Sequence, residues 1–116
     1  DFVKNREYFC QRVFDFQLTQ AKLADMKMGI RVGRAFLDQC LKRAAETGEI
    51  DREDASMCKL WISELEGKIM DECVQLHGGA GFSNEYVISQ MYAFARVHRI
   101  FLGTSEIQRL TIARSI

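Results

Sequence analysis

A helical repeat of apolar residues runs from about Phe14 to Glu46 of the 116-residue sequence, which contains no proline at all. Apolar or small residues recur at alternating steps of three and four, the spacing of one helix face: Leu23, Met26, Ile30, Gly33, Leu37, Cys40 and Ala44. This face is wider than the seam of a two-stranded coil, because it also includes Phe16, Met28, Val32 and Phe36. The repeat therefore predicts a long helix buried inside a bundle of helices.

A second apolar stripe predicts another long helix, from about Arg52 to Leu76. Gly48 is expected to end the first helix, and Asp51 to cap the second. The turn between them is short, so the two helices should pack as antiparallel neighbours that cross at roughly 20°.

Two shorter helices are predicted in the C-terminal third of the chain. The first runs from about Asn84 to Ala95 after a cap at Ser83, and the second follows Gly103. There Ser105 and Gln108 have the spacing of a capping box. The opening residues "DFVKNREYFC" resemble the end of a helix whose beginning is missing. The predicted fold is thus all-α and without strands: an antiparallel up-and-down helical bundle with its first helix truncated.

The composition argues against several classes of binding partner. Sixteen basic residues balance sixteen acidic ones, so no net charge draws the chain to nucleic acid or to an anionic membrane. No apolar run is long enough for a transmembrane segment. The four cysteines lack zinc-site spacing, and no metal site is expected. Three of them lie in apolar stripes, which favours buried free thiols in a reducing compartment.

Three short features could bind a ligand, although each also has a purely structural explanation. "QLHGGAGF" (75–82) lets the backbone turn and allows a ligand to approach closely, but it could simply end a helix. "GTSEIQR" (103–109) begins a helix and could hold an anion, or serve only as a cap. Arg6 could bind a diphosphate, or remain a solvated surface charge.

In combination, these segments resemble the C-terminal helical domain of the FAD-dependent acyl-CoA dehydrogenases. The similar segments cover essentially all of the chain, in order: "VKNREYF", "DFQLTQAKLADM", "QLHGGAGFSNEY", "YAFARV" and "IFLGTSEIQRLTIAR". "RAFLDQC" and "DECVQLHGG" resemble the long-chain branch of the family most. The resemblance implies that residues 1–116 form one such domain, a fragment of a longer chain.

The resemblance also implies a function in fatty acid β-oxidation. The full-length enzyme would oxidise an acyl-CoA to a trans-2-enoyl-CoA with hydride transfer to FAD, and would pass electrons to an electron-transferring flavoprotein. It would be a homo-oligomer, either a dimer or a tetramer, in the mitochondrial matrix or the bacterial cytoplasm. An isolated fragment would self-associate and bind free FAD weakly or not at all. An acyl-CoA oxidase, or a non-catalytic assembly module of the same fold, remains an alternative.

Seven FAD contacts follow from the resemblance. Five of them would contact the flavin of a neighbouring subunit from one side: Arg6, Phe9, Gln75, Gly78 and Gly79. The other two, Thr104 and Glu106, would bind FAD at the start of the last helix. Many members of the family carry their catalytic glutamate in the position that Leu102 occupies here. Leucine cannot accept a proton. The resemblance therefore implies that the base lies upstream and that this chain holds no catalytic residue.

Overall fold

The structure, a computed structural model, describes all 116 residues as a helical bundle, as the sequence predicts. In chain order its elements are α1 (Phe2–Asn5), β1 (Glu7–Tyr8), β2 (Gln11–Arg12), a 3-10 turn (Val13–Asp15), α2 (Gln17–Thr47), α3 (Arg52–His77), α4 (Gly79–Phe82), α5 (Val87–Val97) and α6 (Ser105–Ala113). The molecule measures 55 × 24 × 23 Å. Helix α3 contacts all the other helices and forms the axis of the bundle.

The two long helices pack antiparallel, which confirms the prediction from their short connection. An ion pair joins Lys22, near the start of α2, to Glu72, near the end of α3. At the opposite end, Arg43 pairs with Asp54. Gly48 ends α2 with φ 77°, and the Asp51 carboxylate caps α3 by accepting a hydrogen bond of 2.9 Å from Asp54 N. Both predicted caps are therefore confirmed.

The predicted starts of the two short helices were wrong in detail. Helix α5 begins at Val87 rather than Asn84, because the Ser83 hydroxyl accepts a hydrogen bond from Glu85 N and closes a local turn instead of capping the helix. Helix α6 is capped by Thr104 rather than Ser105. The Ser105 hydroxyl is unavailable for capping, since it donates to Glu64 on α3.

The expectation that the chain contains no strand was also wrong, although only over four residues. Glu7 pairs with Arg12 and Tyr8 with Gln11 in a two-stranded antiparallel hairpin. Its two-residue loop, Phe9–Cys10, has positive φ at both positions (51° and 59°), the combination that a type I′ turn requires. Such loops normally carry Asn-Gly, and each strand has only two residues, so neither the turn residues nor the strand pattern indicated the hairpin.

Only 11 of the 116 residues are buried, so a large part of the apolar surface remains uncovered within this chain. Most of the α2 stripe that meets α3 is at least partly covered, although Ile30 is 53% exposed, and Gly33 is buried against Trp61. Among the residues that widen the stripe, Phe16 and Phe36 are partly covered, whereas Met28 is 62% exposed and Val32 is 53% exposed. The bundle thus has an open apolar face. None of its helices combines the length and the apolar character needed to cross a membrane.

Candidate functional site

The hairpin lies against the C-terminal end of α3 and brings Arg6 close to the glycine pair. The Arg6 guanidinium carbon lies 5.0 Å above the centre of the Tyr8 ring, a distance at which a cation–π interaction is favourable. The Tyr8 hydroxyl in turn lies 3.4 Å from the position that a Cβ on Gly78 would occupy. Arg6 and Gly78 are separated by 72 positions in the sequence, and Tyr8 is the side chain that connects them.

The glycine pair provides an open stretch of backbone at this end of the bundle. Gly78 has φ 58° and ψ −140°, a conformation that side-chain-bearing residues rarely adopt. A Cβ on Gly79 would meet no atom within 4 Å. Gln75, one turn earlier, is exposed, and its carbonyl accepts a hydrogen bond of 3.1 Å from Gly78 N. A flat ligand could therefore approach the backbone closely here.

Phe9 extends from the tip of the hairpin and is 95% exposed. Its φ of 51° and that of Cys10, 59°, are unfavourable for residues with side chains, by roughly 1–2 kcal/mol each. Strained backbone combined with a fully exposed aromatic ring is more typical of a contact surface than of a surface loop without function. We refer to Arg6, Phe9, Gln75, Gly78 and Gly79 together as the α3-end site.

The second group of predicted contacts lies where α6 begins. Gly103 has φ 90°, and the Thr104 hydroxyl accepts a hydrogen bond of 3.4 Å from Ile107 N. Lys59 of α3 donates a hydrogen bond of 2.7 Å to the Gly103 carbonyl, and this bond fixes the turn to the bundle. We refer to Leu102, Thr104 and Glu106 together as the α6-start site.

A buried contact anchors the first residue of α6. The Ser105 hydroxyl donates a hydrogen bond of 2.7 Å to Oε1 of Glu64. Arg99 and Arg109 also pair with this carboxylate, at 3.4 and 3.8 Å. The hydrogen bond from Ser105 and the two guanidinium groups hold the pKa of Glu64 below its usual range.

The charge at the start of α6 does not favour a phosphate. Hydrogen bonds from its own backbone N–H and from the Thr104 hydroxyl lower the pKa of Glu106, so a carboxylate occupies this helix end. A carboxylate there already takes up the favourable dipole interaction and repels a second anion. The anion site considered from the sequence therefore fits this helix poorly, and a hydroxyl-bearing ligand fits it better.

Leu102 lies at the rim of an apolar cavity of about 710 Å³ between α2, α3 and the segment before α6. It is 82% exposed and has φ 52°. Three carboxylates also line the cavity, and each has a partner: Asp51 caps α3, Asp54 pairs with Arg43, and Glu66 pairs with His98 Nδ1 at 2.6 Å. No local spacing in the sequence indicates this last pair, because 32 residues separate Glu66 from His98.

The two candidate sites are far apart within one chain. Lys59, which holds the α6-start site, and Gln75, in the α3-end site, are sixteen residues apart on the same helix. At a rise of 1.5 Å per residue, this separation is about 24 Å. The structure therefore groups the seven predicted contacts into two sets and does not bring the sets together.

Comparison with known proteins gives a consistent result over the full chain. A family model described as "Acyl-CoA dehydrogenase, C-terminal domain" matches residues 1–116. The mitochondrial long-chain specific acyl-CoA dehydrogenase of Mus musculus is 47% identical over 116 residues, which are 100% of this chain and 27% of that protein. The chain thus spans about a quarter of this curated relative.

Two solved structures share the fold. The crystal structure of an acyl-CoA dehydrogenase from Geobacillus kaustophilus is 38% identical, with a TM-score of 0.93, and the match covers 98% of this chain and 30% of that one. A glutaryl-CoA dehydrogenase from Mycobacterium smegmatis, in complex with FADH2, is 27% identical with a TM-score of 0.91 over 98% of this chain and 29% of that one.

Proposed function

The chain belongs to the family of acyl-CoA dehydrogenase C-terminal domains, and from this premise we propose that it is the FAD-binding and oligomerisation domain of an acyl-CoA dehydrogenase. The full-length protein would oxidise an acyl-CoA thioester to a trans-2-enoyl-CoA. FAD, when bound, supplies the acceptor for the hydride that leaves the β-carbon. The fit of this chain to FAD is supported by the open backbone at Gly79, where a Cβ would meet no atom within 4 Å.

The observation that carries the proposal is the separation of the two candidate sites. The Gly103 carbonyl is bonded to Lys59 of α3, which lies about 24 Å along the helix from Gln75, and each site is exposed at the surface. A single chain would therefore contact two flavins, one at each site. In a symmetric dimer or tetramer each flavin would then receive the α6-start site from one subunit and the α3-end site from its neighbour.

Charge suggests which part of the flavin each site contacts. Arg6 is the cation among the seven predicted contacts, so the α3-end site would hold the diphosphate. Gly78 and Gly79 would let the cofactor approach the backbone, and Phe9 would cover it. At the α6-start site, the Thr104 hydroxyl and the Glu106 carboxylate would bind hydroxyl or N–H groups.

No residue of this chain would act as the catalytic base. Leu102 has no proton acceptor and would fill space beside the reacting thioester, while a carboxylate outside residues 1–116 would remove the α-proton. The same leucine is the observation that favours a second candidate, a non-catalytic assembly module of the same fold. The retained arginine, the glycine pair and the threonine favour the enzyme.

The proposed partners and cellular compartment are those expected for a member of the family. Electrons would leave the reduced enzyme for an electron-transferring flavoprotein. The open apolar face of α2, which includes Met28 and Val32, would be covered by the rest of the full-length chain or by another subunit. The protein would act in the mitochondrial matrix or in the bacterial cytoplasm, and the Mus musculus relative is a mitochondrial protein.

The experiment is a flavin measurement on the purified full-length protein, followed by anaerobic titration with a saturated acyl-CoA. The proposal expects bound FAD that is bleached by the thioester, with formation of the enoyl-CoA. An Arg6→Gln variant should lose flavin, whereas Arg31→Gln, a control at another exposed arginine, should keep it. A folded oligomer without flavin would support the assembly module, and bound flavin that no acyl-CoA bleaches would contradict the dehydrogenase.

A further inference from the structure

Two thiols meet across the interface between the long helices. The sulfur of Cys58, on α3, lies 3.5 Å from the sulfur of Cys40, on α2, and Cys58 donates a hydrogen bond to Cys40. All four cysteines of the chain are free thiols. The other two do not take part: Cys10 lies in the hairpin loop, and Cys73 lies fifteen residues beyond Cys58 on the same helix.

The Cys40 and Cys58 thiols differ in accessibility, so an oxidant would reach them in a defined order. Cys58 is buried, whereas Cys40 is only partly covered, and both line the apolar cavity of about 710 Å³. A small neutral oxidant such as hydrogen peroxide can enter an apolar cavity of this size and would reach Cys40 first. Cys58 would then be in contact with the modified sulfur, because the two sulfur atoms already touch.

We propose that Cys40 and Cys58 form a redox modification site, at which a peroxide converts the two thiols into a disulfide that joins α2 to α3. In the first step the Cys40 sulfur attacks one peroxide oxygen, and the products are a sulfenic acid and water. In the second, the Cys58 sulfur displaces that hydroxyl as a second water and forms the S–S bond. Two thiols lose two electrons and two protons in total, and one peroxide becomes two water molecules.

The bond requires a small movement of the two sulfur atoms. A disulfide requires a sulfur separation of about 2.05 Å, so the two sulfurs must approach each other by roughly 1.5 Å. The cavity beside them leaves room for the side chains to move. Because the two positions lie on neighbouring antiparallel helices, the bond would close one side of the cavity whose rim includes Leu102.

The environment of Cys58 directs the peroxide to Cys40 and stabilises the product. Burial, together with the contact with Cys40, raises the pKa of the Cys58 thiol to about 11, so Cys58 is protonated and reacts slowly with peroxide itself. The second step therefore depends on the contact between the two sulfur atoms, because protonation of Cys58 makes it a weak nucleophile. A thiol with a raised pKa is also a poor leaving group. Once formed, the bond should therefore be reduced slowly. The site goes beyond the proposed function and does not depend on it.

The test uses the full-length protein that carries this chain, fully reduced, exposed to hydrogen peroxide and then alkylated to block the remaining thiols. Mass spectrometry of the digest should find the peptides of Cys40 and Cys58 linked within one subunit. The link should be absent in Cys40→Ser and in Cys58→Ser and should persist in the matched control Cys73→Ser. The thermal unfolding midpoint of the oxidised wild type should rise, because a cross-link restricts the unfolded chain, and that of Cys40→Ser should not.

Two results would overturn the proposal, and neither depends on the variants. One is wild-type protein whose Cys40 and Cys58 both remain open to alkylation, or become separate sulfinic acids, under conditions that oxidise the exposed Cys10. The other is a Cys40 link that occurs between subunits, detected as a dimer on a non-reducing gel. Loss of flavin binding in the same protein would count against the proposed function alone.

Discussion

The Ser105 hydroxyl donates a hydrogen bond of 2.7 Å to Oε1 of Glu64, and this bond fixes the first residue of α6 to the middle of α3. It explains how the turn before α6 keeps one orientation, although Leu102 and Gly103 both have positive φ. The Lys59 hydrogen bond to the Gly103 carbonyl supports the same turn from the preceding turns of α3. The α6-start site is therefore held by α3, although none of its own side chains belongs to α3.

Replacement of Ser105 by alanine should destabilise the protein by about 1–2 kcal/mol, the usual loss for a hydrogen bond to a charged group that remains partly solvated. The effect should depend on pH. The folded state lowers the pKa of Glu64, so this contribution is present above the ordinary glutamate pKa of about 4.3 and is lost as the pH falls through the lower folded-state value.

Thermal unfolding of wild type and Ser105→Ala over about pH 3 to pH 7 measures this difference. The gap in midpoints should be constant near neutral pH and should narrow in acid. Ser115→Ala is the matched control, because that hydroxyl bonds only the Ile112 carbonyl at the exposed end of α6. A gap that widened in acid would contradict the role assigned to Glu64.

The glycine pair should respond in two different ways to alanine. Gly78→Ala should cost about 1–3 kcal/mol, because φ 58° with ψ −140° is strained for a residue with a Cβ. Gly79→Ala should leave stability nearly unchanged, since it is helical and its Cβ would meet no atom within 4 Å. It should nevertheless weaken flavin binding in the full-length protein. Unfolding midpoints and flavin content report the two effects, and wild-type flavin affinity in Gly79→Ala would remove this residue from the site.

The hairpin loop offers a stabilising change. Cys10→Gly should raise the free energy of unfolding by roughly 1 kcal/mol, because glycine adopts positive φ without the steric penalty of a Cβ. Cys10→Ala removes the same thiol but keeps the Cβ, so it should give no gain. Urea unfolding of the two variants distinguishes backbone strain from an effect of the thiol. If the two variants were equally stable, the positive φ of 59° at position 10 would not lower the free energy of unfolding.

The helices were predictable because their signals are local and repeated. The alternation of three and four along α2, the glycine at its end and the aspartate at the start of α3 each act within a few residues. The hairpin was not predictable, since its Phe-Cys loop lacks the residues that such turns normally use. The observed helix starts differ from the predicted ones where the predicted cap residue bonds another group instead, as Ser105 bonds Glu64.

The site was predictable only as separate pieces. Sequence identified Arg6, the glycine pair and the Gly-Thr turn, but not the residues that connect or support them. Tyr8 lies between Arg6 and Gly78, and Lys59 and Glu64 hold the start of α6. These contacts join residues that are more than 40 positions apart, apart from the neighbours Arg6 and Tyr8, and no local pattern reports contacts of that kind.

Leu102→Ala in the full-length enzyme should slow anaerobic flavin bleaching by acyl-CoA less than about tenfold, because the change removes contacts and no proton acceptor; loss of a general base typically costs 10²–10⁴-fold. Leu110→Ala, on a half-exposed position of α6, is the control. Single-turnover bleaching is the measurement. A fall of about 100-fold or more for Leu102→Ala would mean that the chemistry depends on this chain in a way that the proposal does not include.

The two-flavin arrangement can be tested by mixing subunits. Arg6→Gln should damage the α3-end site, and the double change Thr104→Ala with Glu106→Ala should damage the α6-start site. Each variant alone, as a homo-oligomer, should lose flavin, because every flavin would then meet one damaged site. In a mixed pair, one flavin meets the two intact sites and the other meets both damaged ones.

Flavin content of the mixed oligomer, co-expressed with two different tags and purified on both in turn, is therefore the most direct measurement. If each flavin is held by two subunits, the mixed oligomer should regain flavin, at about one per pair of unlike subunits, while both homo-oligomers stay empty. If both sites of one chain hold the same flavin, every flavin in the mixed oligomer meets one damaged site and none is regained. That result, or full flavin retention in either homo-oligomer, would contradict the proposed arrangement.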